Sequence, residues 1–398
     1  HIPYLTCMKC RNLKKMNKKV LSGIICLVII VIIFVPLGLK MGTSNMFNTL
    51  MNTAHDLLLN TVFYLLAVCV LTGALGKILI EFGVVDLLEK ILRPIMKPVF
   101  NLPGVASLGA ILTFLSDNPA IIALAKDKQF SVYFKKYQYI SLTNFGTSFG
   151  MGLLVIVFMM GQGYYAEPLI GFIGAIIGCI TSTRLMQFLV IKDYPRFKEE
   201  NALDQSEIIK LESAEDNQEA KDNSSRKSLF QRILDSLLDG GKDGVEVGMS
   251  VIPGVLIIST FIMILTFGPS ANGYTGAAYE GVGVLPWIGD KLSWFFNVLF
   301  GFNDPHLIAF PITALGAVGA ALGLIPNFAA HGWLDANAIA VFTAIGMCWS
   351  GFLSTHTAML DTLKYRSLTS KAIISHTIGG IFAAISAHFG YMLFSLFL

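Results

Sequence analysis

Charge is what this sequence is short of. Only 14% of its 398 residues are Asp, Glu, Lys or Arg, while 54% are hydrophobic and the mean hydropathy is +0.65. Soluble domains carry about 25% charged residues. That excludes an ordinary soluble domain and leaves a chain immersed in a lipid bilayer. Cysteine is scarce too, at six residues. Cys26, Cys69, Cys179 and Cys348 lie inside apolar runs, where packing accounts for them. Cys7 and Cys10 form a lone CxxC with no second pair, so neither a disulfide framework nor a zinc site is expected. Signatures of chemistry are missing as well. Gly73-Ala74-Leu75-Gly76-Lys77 lacks the length and the Ser/Thr of a phosphate loop, and no HExxH occurs. An enzyme is not expected. The net charge is +3, and the basic residues sit beside helix ends instead of forming one patch, which argues against a nucleic-acid partner.

What the chain does have is apolar length. Val20–Leu39, Leu59–Ile80, Tyr137–Met160, Glu167–Ile191, Val245–Phe267, Ala336–Ala358 and Ala372–Phe397 each hold about 20 largely apolar residues, enough to span a hydrocarbon core of about 30 Å. The residues ahead of Met8 or Met16 read as an extension and are set aside. Lys14, Lys15, Lys18 and Lys19 place the N-terminus in the cytoplasm by the positive-inside rule. Lys126, Lys128, Lys135 and Lys136 follow the apolar stretch 104–125. They stay cytoplasmic only if that stretch enters the membrane and returns. The same logic makes 304–327 re-entrant from outside, puts Lys364, Arg366 and Lys371 inside and leaves the C-terminus external. Lys40 snorkels at a helix end, and Asp361 is expected to pair with Lys364.

The expected organisation follows from these crossings. Residues 1–19 form a cytoplasmic segment, and 20–57 the first span with an external loop. The first repeat, 58–191, carries the hairpin 104–125. A charged cytoplasmic linker and a surface helix occupy 192–240, and the second repeat, 241–398, carries the hairpin 304–327. Each repeat is a span, an amphipathic segment (Val84–Phe100 or Leu285–Phe300), a hairpin and two spans, in opposite directions. The expected fold class is an all-α membrane protein with seven transmembrane helices and two re-entrant hairpins in two inverted-topology repeats.

Paired interruptions of apolar segments point to a transporter's binding site. Ser116-Asp117-Asn118 breaks the first hairpin ahead of Pro119, and Asp117 is the one acid placed near mid-membrane, where an ionisable group is costly. Ser116 and Asn118 are expected to cap half-helix ends, Pro119 to open the returning helix. Asp117 itself reads either as a coupling carboxylate or as an N-cap. In the following span, Thr143, Asn144, Thr147 and Ser148 either face a cavity or bond neighbouring helices. The second half offers Thr313, Gly316 and Gly319 at its hairpin, and Ser350, Ser354 and His356 in its span. The glycines supply exposed amides or simply permit the turn; His356 is a proton carrier or a packing residue. Asn303-Asp304-Pro305 is a helix N-terminus signature.

On Gly83–Ile122, Ser141–Gly152, Pro253–Gly268, Asp304–Gly323 and Ala344–Thr357 the chain resembles the nucleoside-recognition (gate) domain family of bacterial multi-pass membrane proteins, related in repeat plan to concentrative nucleoside transporters. The resemblance implies a secondary transporter of a small polar solute, nucleoside-like or another metabolite, coupled to a proton or Na+. It covers most of the chain through small-residue patterns. Where those transporters carry a Gln-Thr-Glu type first hairpin and an acidic second one, this chain has Ser116-Asp117-Asn118 and no acid at the second tip. No resident cofactor or metal is expected. The partners are the solute and the bilayer, and a homo-oligomer is compatible with them. The alternative is a non-transporting membrane scaffold in envelope or spore assembly.

Overall fold

The computed structural model describes residues 3–203 and 228–397; the side chains of residues 3–18 and of Ser354 lie outside the description. The side chains of Cys7 and Cys10, and most of the charged linker, therefore fall outside the description.

The chain divides into two compact units, His1–Thr53 with Met263–Gly283, and Ala54–Ile262 with Val284–Leu398. In the smaller unit, α1 (Pro3–Met41) exposes nearly all of its apolar surface between Val20 and Leu39, as a lipid-facing helix does. The expected external loop after it is instead helical: α2 (Thr43–Asp56) runs on into the next span. Polar side chains pin the 268–283 loop in this unit. Lys40 Nζ donates to Val282 O at 2.9 Å, Asn45 Nδ2 to Tyr274 O at 2.7 Å and Asn52 Nδ2 to Gly276 O at 2.8 Å. Glu280, only 2% exposed, accepts from the N–H and hydroxyl of Thr275 and from the N–H of Gly276. Burial pushes its carboxyl up, but the hydrogen bonds from Thr275 and Gly276 outweigh that and hold it below the ordinary carboxylate range.

The larger unit begins with α3 (Phe63–Glu81) and α4 (Val84–Phe100). The first hairpin follows as α5 (Ala106–Leu115) and α6 (Pro119–Lys126), then a turn, α7 (Lys128–Ser131). A broken span is α8 (Lys136–Thr147) with α9 (Gly152–Met160), and α10 (Glu167–Asp193) closes the half. The second half opens with α11 (Leu229–Pro253) and α12 (Thr260–Thr266), joined through a π-helical stretch. It continues through α13 (Val284–Lys291) and α14 (Ser293–Phe300). Its hairpin is α15 (Ala309–Gly316) with α16 (Val318–Leu322) and α17 (Ile325–Ala330). A second broken span, α18 (Ala336–Trp349) with α19 (Phe352–Thr362), precedes α20 (Thr369–Ser395).

Six helices among the described residues are long and apolar enough to cross a membrane, or seven if Ser293–Phe300 and Pro305–Gly316, bent by 76°, form one span. The protein is thus a multi-pass membrane protein. Ala336–Ala358, expected as a full span, is not among the six. Left-handed backbone at Ser350 (φ 39°) and Gly351 (φ 72°) splits it into α18 and α19. The separate surface helix expected after the linker is absent too, because α11 runs without interruption from Leu229 and lies against α3. Gly73, Gly240 and Gly244 make that contact so close that a Cβ at Gly73 would lie 2.4 Å from Gly240 O. The amphipathic segment of the second half is not one helix either, since Leu292 separates α13 from α14. Asp361 pairs with Arg366 at 3.8 Å, not with Lys364.

The two halves share details that hydropathy alone does not dictate. α4 and α14 both end on a left-handed residue, Asn101 (φ 55°) and Gly301 (φ 65°). In each, the next N–H reaches six residues back, Leu102 to Met96 and Phe302 to Phe296, both at 3.4 Å. α10 and α20 meet along a small-residue seam. Gly174 faces Ala387, Gly178 faces Ala383 and Gly379, and Gly379 faces Ser182, an order that only antiparallel helices give.

Candidate functional site

The first hairpin breaks where expected, but its side chains do other work. Asn118 does not cap α6; Asp117 Oδ1 instead accepts the Asn118 N–H at 2.7 Å. Freed from capping, Asn118 Nδ2 donates to Ser350 O at 2.9 Å, in the opposite half of the unit. Ser116 does not cap either, since its hydroxyl donates back to Leu112 O at 2.6 Å. The second hairpin breaks at Ala317, which is extended (φ −162°, ψ 120°). Neither Gly316 nor Gly319 has positive φ, so these glycines do not make the turn. Gly319 is needed for approach: a Cβ there would lie 2.8 Å from the Val251 side chain of α11. The second tip is fastened to its own broken span by Gly351 N–H donating to Ala314 O at 3.0 Å.

Both tips and both span breaks face one cavity of about 170 Å³. The first tip supplies Asp117 and Asn118, the second Gly316 through Gly319. Met151 (φ 55°) comes from the break between α8 and α9, and Ser350, Gly351 and Thr355 from the break between α18 and α19. Ser250, Val251 and Gly254 of the second half's first span close the remaining side. Asn118 is 1% exposed and its Oδ1 has no hydrogen-bond partner. It lies so close to Gly150 that a Cβ added there would meet Oδ1 at 1.7 Å.

Of the residues singled out in the sequence, Asp117, Asn118, Gly316, Gly319 and Ser350 therefore converge. Ser116 faces away, into a separate cavity of about 120 Å³ beside the Lys77–Asp243 pair. Thr313 donates to Ala309 O within its own helix. The side chain of Ser354 lies outside the described residues. Gly351 and Thr355, within the polar stretch 350–356 of the second half's span, converge with Ser350 on the cavity. Met151, Ser250 and Gly254 were not singled out, although for Gly254 the signal was there, a Pro-Gly pair inside an apolar span.

Thr143, Asn144, Thr147, Ser148 and His356 do not reach this cavity; all five are fully buried in the core. Asn144 Nδ2 lies 3.0 Å from Ser182 Oγ, 3.0 Å from Ala372 O and 2.9 Å from Ser375 Oγ. Ser182 Oγ is 2.8 Å from His376 Nδ1, and His376 Nε2 is 2.5 Å from Cys348 O. A carbonyl only accepts, so His376 carries its proton on Nε2, and Ser182 donates to Nδ1. This chain ties α8, α10, α18 and α20 together. His376, given no role from the sequence, is its hub. Thr143 bonds Ile140 O and Asn144 Oδ1, and Thr147 reaches Met359 Sδ. Gly146-Thr147-Ser148-Phe149-Gly150 has Gly-x-Ser-x-Gly spacing, yet Ser148 is no nucleophile: its hydroxyl donates to Asn144 O at 2.9 Å. His356 stands apart, with neither ring nitrogen partnered and its ring 4.6 Å from that of His376.

Residues 62–163, from α3 through the first hairpin to the end of α9, match the family model described as Gate, nucleoside recognition. Over 97 residues the chain is 32% identical to an uncharacterized protein of Alkalihalophilus pseudofirmus, a match taking in 24% of this chain and 21% of that protein. The chain thus spans about a fifth of the length of the curated relative it matches. In fold it is similar to a double variant of CNTnw solved in an outward-facing state, with TM-score 0.54, 13% identity, and coverage of 96% of this chain and 87% of that one. A second double variant of CNTnw in an outward-facing state gives TM-score 0.51 at 14% identity, with 96% and 87% covered. The chain is therefore a multi-pass membrane protein with the fold of CNTnw, and its resemblance to the nucleoside-recognition gate family is carried by residues 62–163.

Proposed function

We propose that this chain is a secondary active transporter, moving a small polar solute with proton or cation coupling by alternating access around its two hairpin tips. One observation carries the reading. Two interrupted helical segments from different halves bring their breaks, and the breaks of two neighbouring spans, to the same cavity. Irregular backbone at membrane depth is tolerated where it lines a polar cavity, and half-helix ends aim unsatisfied groups there. The hairpins re-enter the membrane from opposite sides, the N-terminus is cytoplasmic and the C-terminus external. The antiparallel seam of α10 on α20 and the matched ends of α4 and α14 support inverted repeats. The likeness to CNTnw, solved in outward-facing forms, supports a fold that changes access. Against the scaffold reading stands the cavity lining, which contains no Phe or Leu to pack it shut.

Asp117 is the coupling residue, because it is the cavity's one carboxylate and can hold a proton or a cation. In proteoliposomes, Asp117→Asn abolishes gradient-driven uptake of any solute the parent moves, and thermal melting stays near that of the parent. Unchanged ion-driven uptake in that variant rules Asp117 out. If the parent moves nothing from a panel of nucleosides, bases, amino acids, organic anions and amines, the scaffold reading replaces transport.

A further inference from the structure

We propose that the cavity between the hairpin tips binds a small organic amine in its ammonium form, and that Asp117 exchanges a proton for it, making the chain a proton–amine exchanger. The inference rests on the transport reading and narrows it to a solute class.

The argument begins with donors and acceptors. The three lining hydroxyls all spend their protons on backbone carbonyls: Ser250 on Val247 O at 2.6 Å, Ser350 on Gly150 O at 3.2 Å and Thr355 on Gly351 O at 3.5 Å. Each then presents only lone pairs. Asn118 gives one of its two amide N–H groups to Ser350 O, and its buried Oδ1 is left unpartnered. Asp117 contributes a carboxylate that accepts one protein hydrogen bond, from Asn118 N–H. Acceptors therefore predominate among the polar side chains of the lining, and one carries negative charge. An ammonium group brings three donors and the opposite charge. A nucleobase brings acceptors as well as donors, and the lining has no aromatic ring to stack it. An anion would meet the carboxylate with no Lys or Arg to offset it. Size points the same way, since a cavity of about 170 Å³ is comparable to the ~150 Å³ that holds benzene.

Charge balance supplies the exchange. A carboxylate withdrawn from water is costly unless protonated or paired. The neighbouring titratable groups do not pair it. Cys69 of α3 and the Lys77–Asp243 pair line the separate cavity beyond Ser116. Glu246 of α11 and His356 of α19 do not line the cavity. The partner must come from solution, either a proton or the ammonium group. When R–NH3+ binds, the Asp117 carboxyl releases one proton, so each turnover moves one positive charge each way.

The test is titration calorimetry of the purified full chain with ethanolamine and, separately, with uridine, in buffers of different ionisation enthalpy. Ethanolamine binds with about one proton released per molecule at acid pH, and its affinity falls about tenfold per pH unit on that side. Asp117→Asn loses the binding, Asp117→Glu retains it, and Asn118→Ala weakens it about tenfold. If Asp117→Asn does not fold, the Glu and Ala variants still decide. Binding of uridine but not ethanolamine overturns the class and leaves transport standing. Ethanolamine binding without proton release, or only with Na+, overturns the exchange. If neither binds while another solute is driven into proteoliposomes, only this inference falls; if nothing is driven at all, the transport reading falls with it.

Discussion

Two polar clusters inside the larger unit look alike in sequence and differ in one physical respect. Around Asn144, Ser182 and His376 the donors and acceptors are matched, so the network closes on itself and holds four helices together. Around Asp117, Asn118 and Ser350 the acceptors outnumber the donors, and a cavity opens in front of them. A saturated buried network is structural glue; an unsaturated one beside open space is prepared for something else. The same contrast separates the acids. Glu280 accepts from three groups and orders a loop, while Asp117 accepts from one.

The largest expected effect breaks the closed cluster. Asn144→Ala removes the two N–H donors that Ser182 Oγ, Ser375 Oγ and Ala372 O share, and each of those keeps another hydrogen bond. Two buried hydrogen bonds lost at ~1–2 kcal/mol each set the scale. Its melting in detergent should show a loss of about 2–4 kcal/mol. His356→Phe should leave melting unchanged or raise it, because that imidazole has no hydrogen bond to lose. A large loss there would mean that His356 is part of the network.

Gly150→Ala acts on the open cluster. Its new Cβ would sit 1.7 Å from Asn118 Oδ1 and 2.8 Å from Ser350 Oγ, so Asn118 must swing away and release Ser350. Uptake should fall at least tenfold, with a melting change worth about 1 kcal/mol, one neutral hydrogen bond. If melting collapses while residual uptake is normal, the cluster is structural after all.

The smallest effect concerns Glu280. Its folded carboxyl titrates below the ordinary value of about 4.3. The loop therefore keeps this stabilisation at and above that pH and loses it as pH falls through the lower folded value. Hydrogen exchange at the Thr275 and Gly276 amides should stay slow at neutral pH and accelerate in acid. Glu280→Gln should make it faster at neutral pH and flatten the dependence.

Much of the architecture was legible in the sequence. Pro119 after Ser116-Asp117-Asn118 marked the first break, and Asp304-Pro305 marked a helix start, where Asp304 Oδ1 does accept the His306 N–H at 2.8 Å. What could not be read was the facing of each polar residue. Asn144 sits mid-span like Ser350, and only the partners brought by α10 and α20 decide that it is consumed, while Thr143 and Ser148 bond within their own helix. Likewise Gly316 and Gly319 suggested a glycine turn, whereas Ala317 bends the chain and Gly319 yields space to Val251. Spacing reports the break in a helix; tertiary contact decides what faces it.

The most direct measurement of the central claim is cysteine accessibility in membranes. Single cysteines at Thr355, in the cavity, and at Thr143, in the closed network, would be challenged with a small water-soluble methanethiosulfonate, with Cys179 and Cys348, both buried, as internal controls. Rapid labelling at position 355 with none at 143 is the predicted result. Labelling at 143 with none at 355 would place the aqueous site in the wrong cluster and contradict the account.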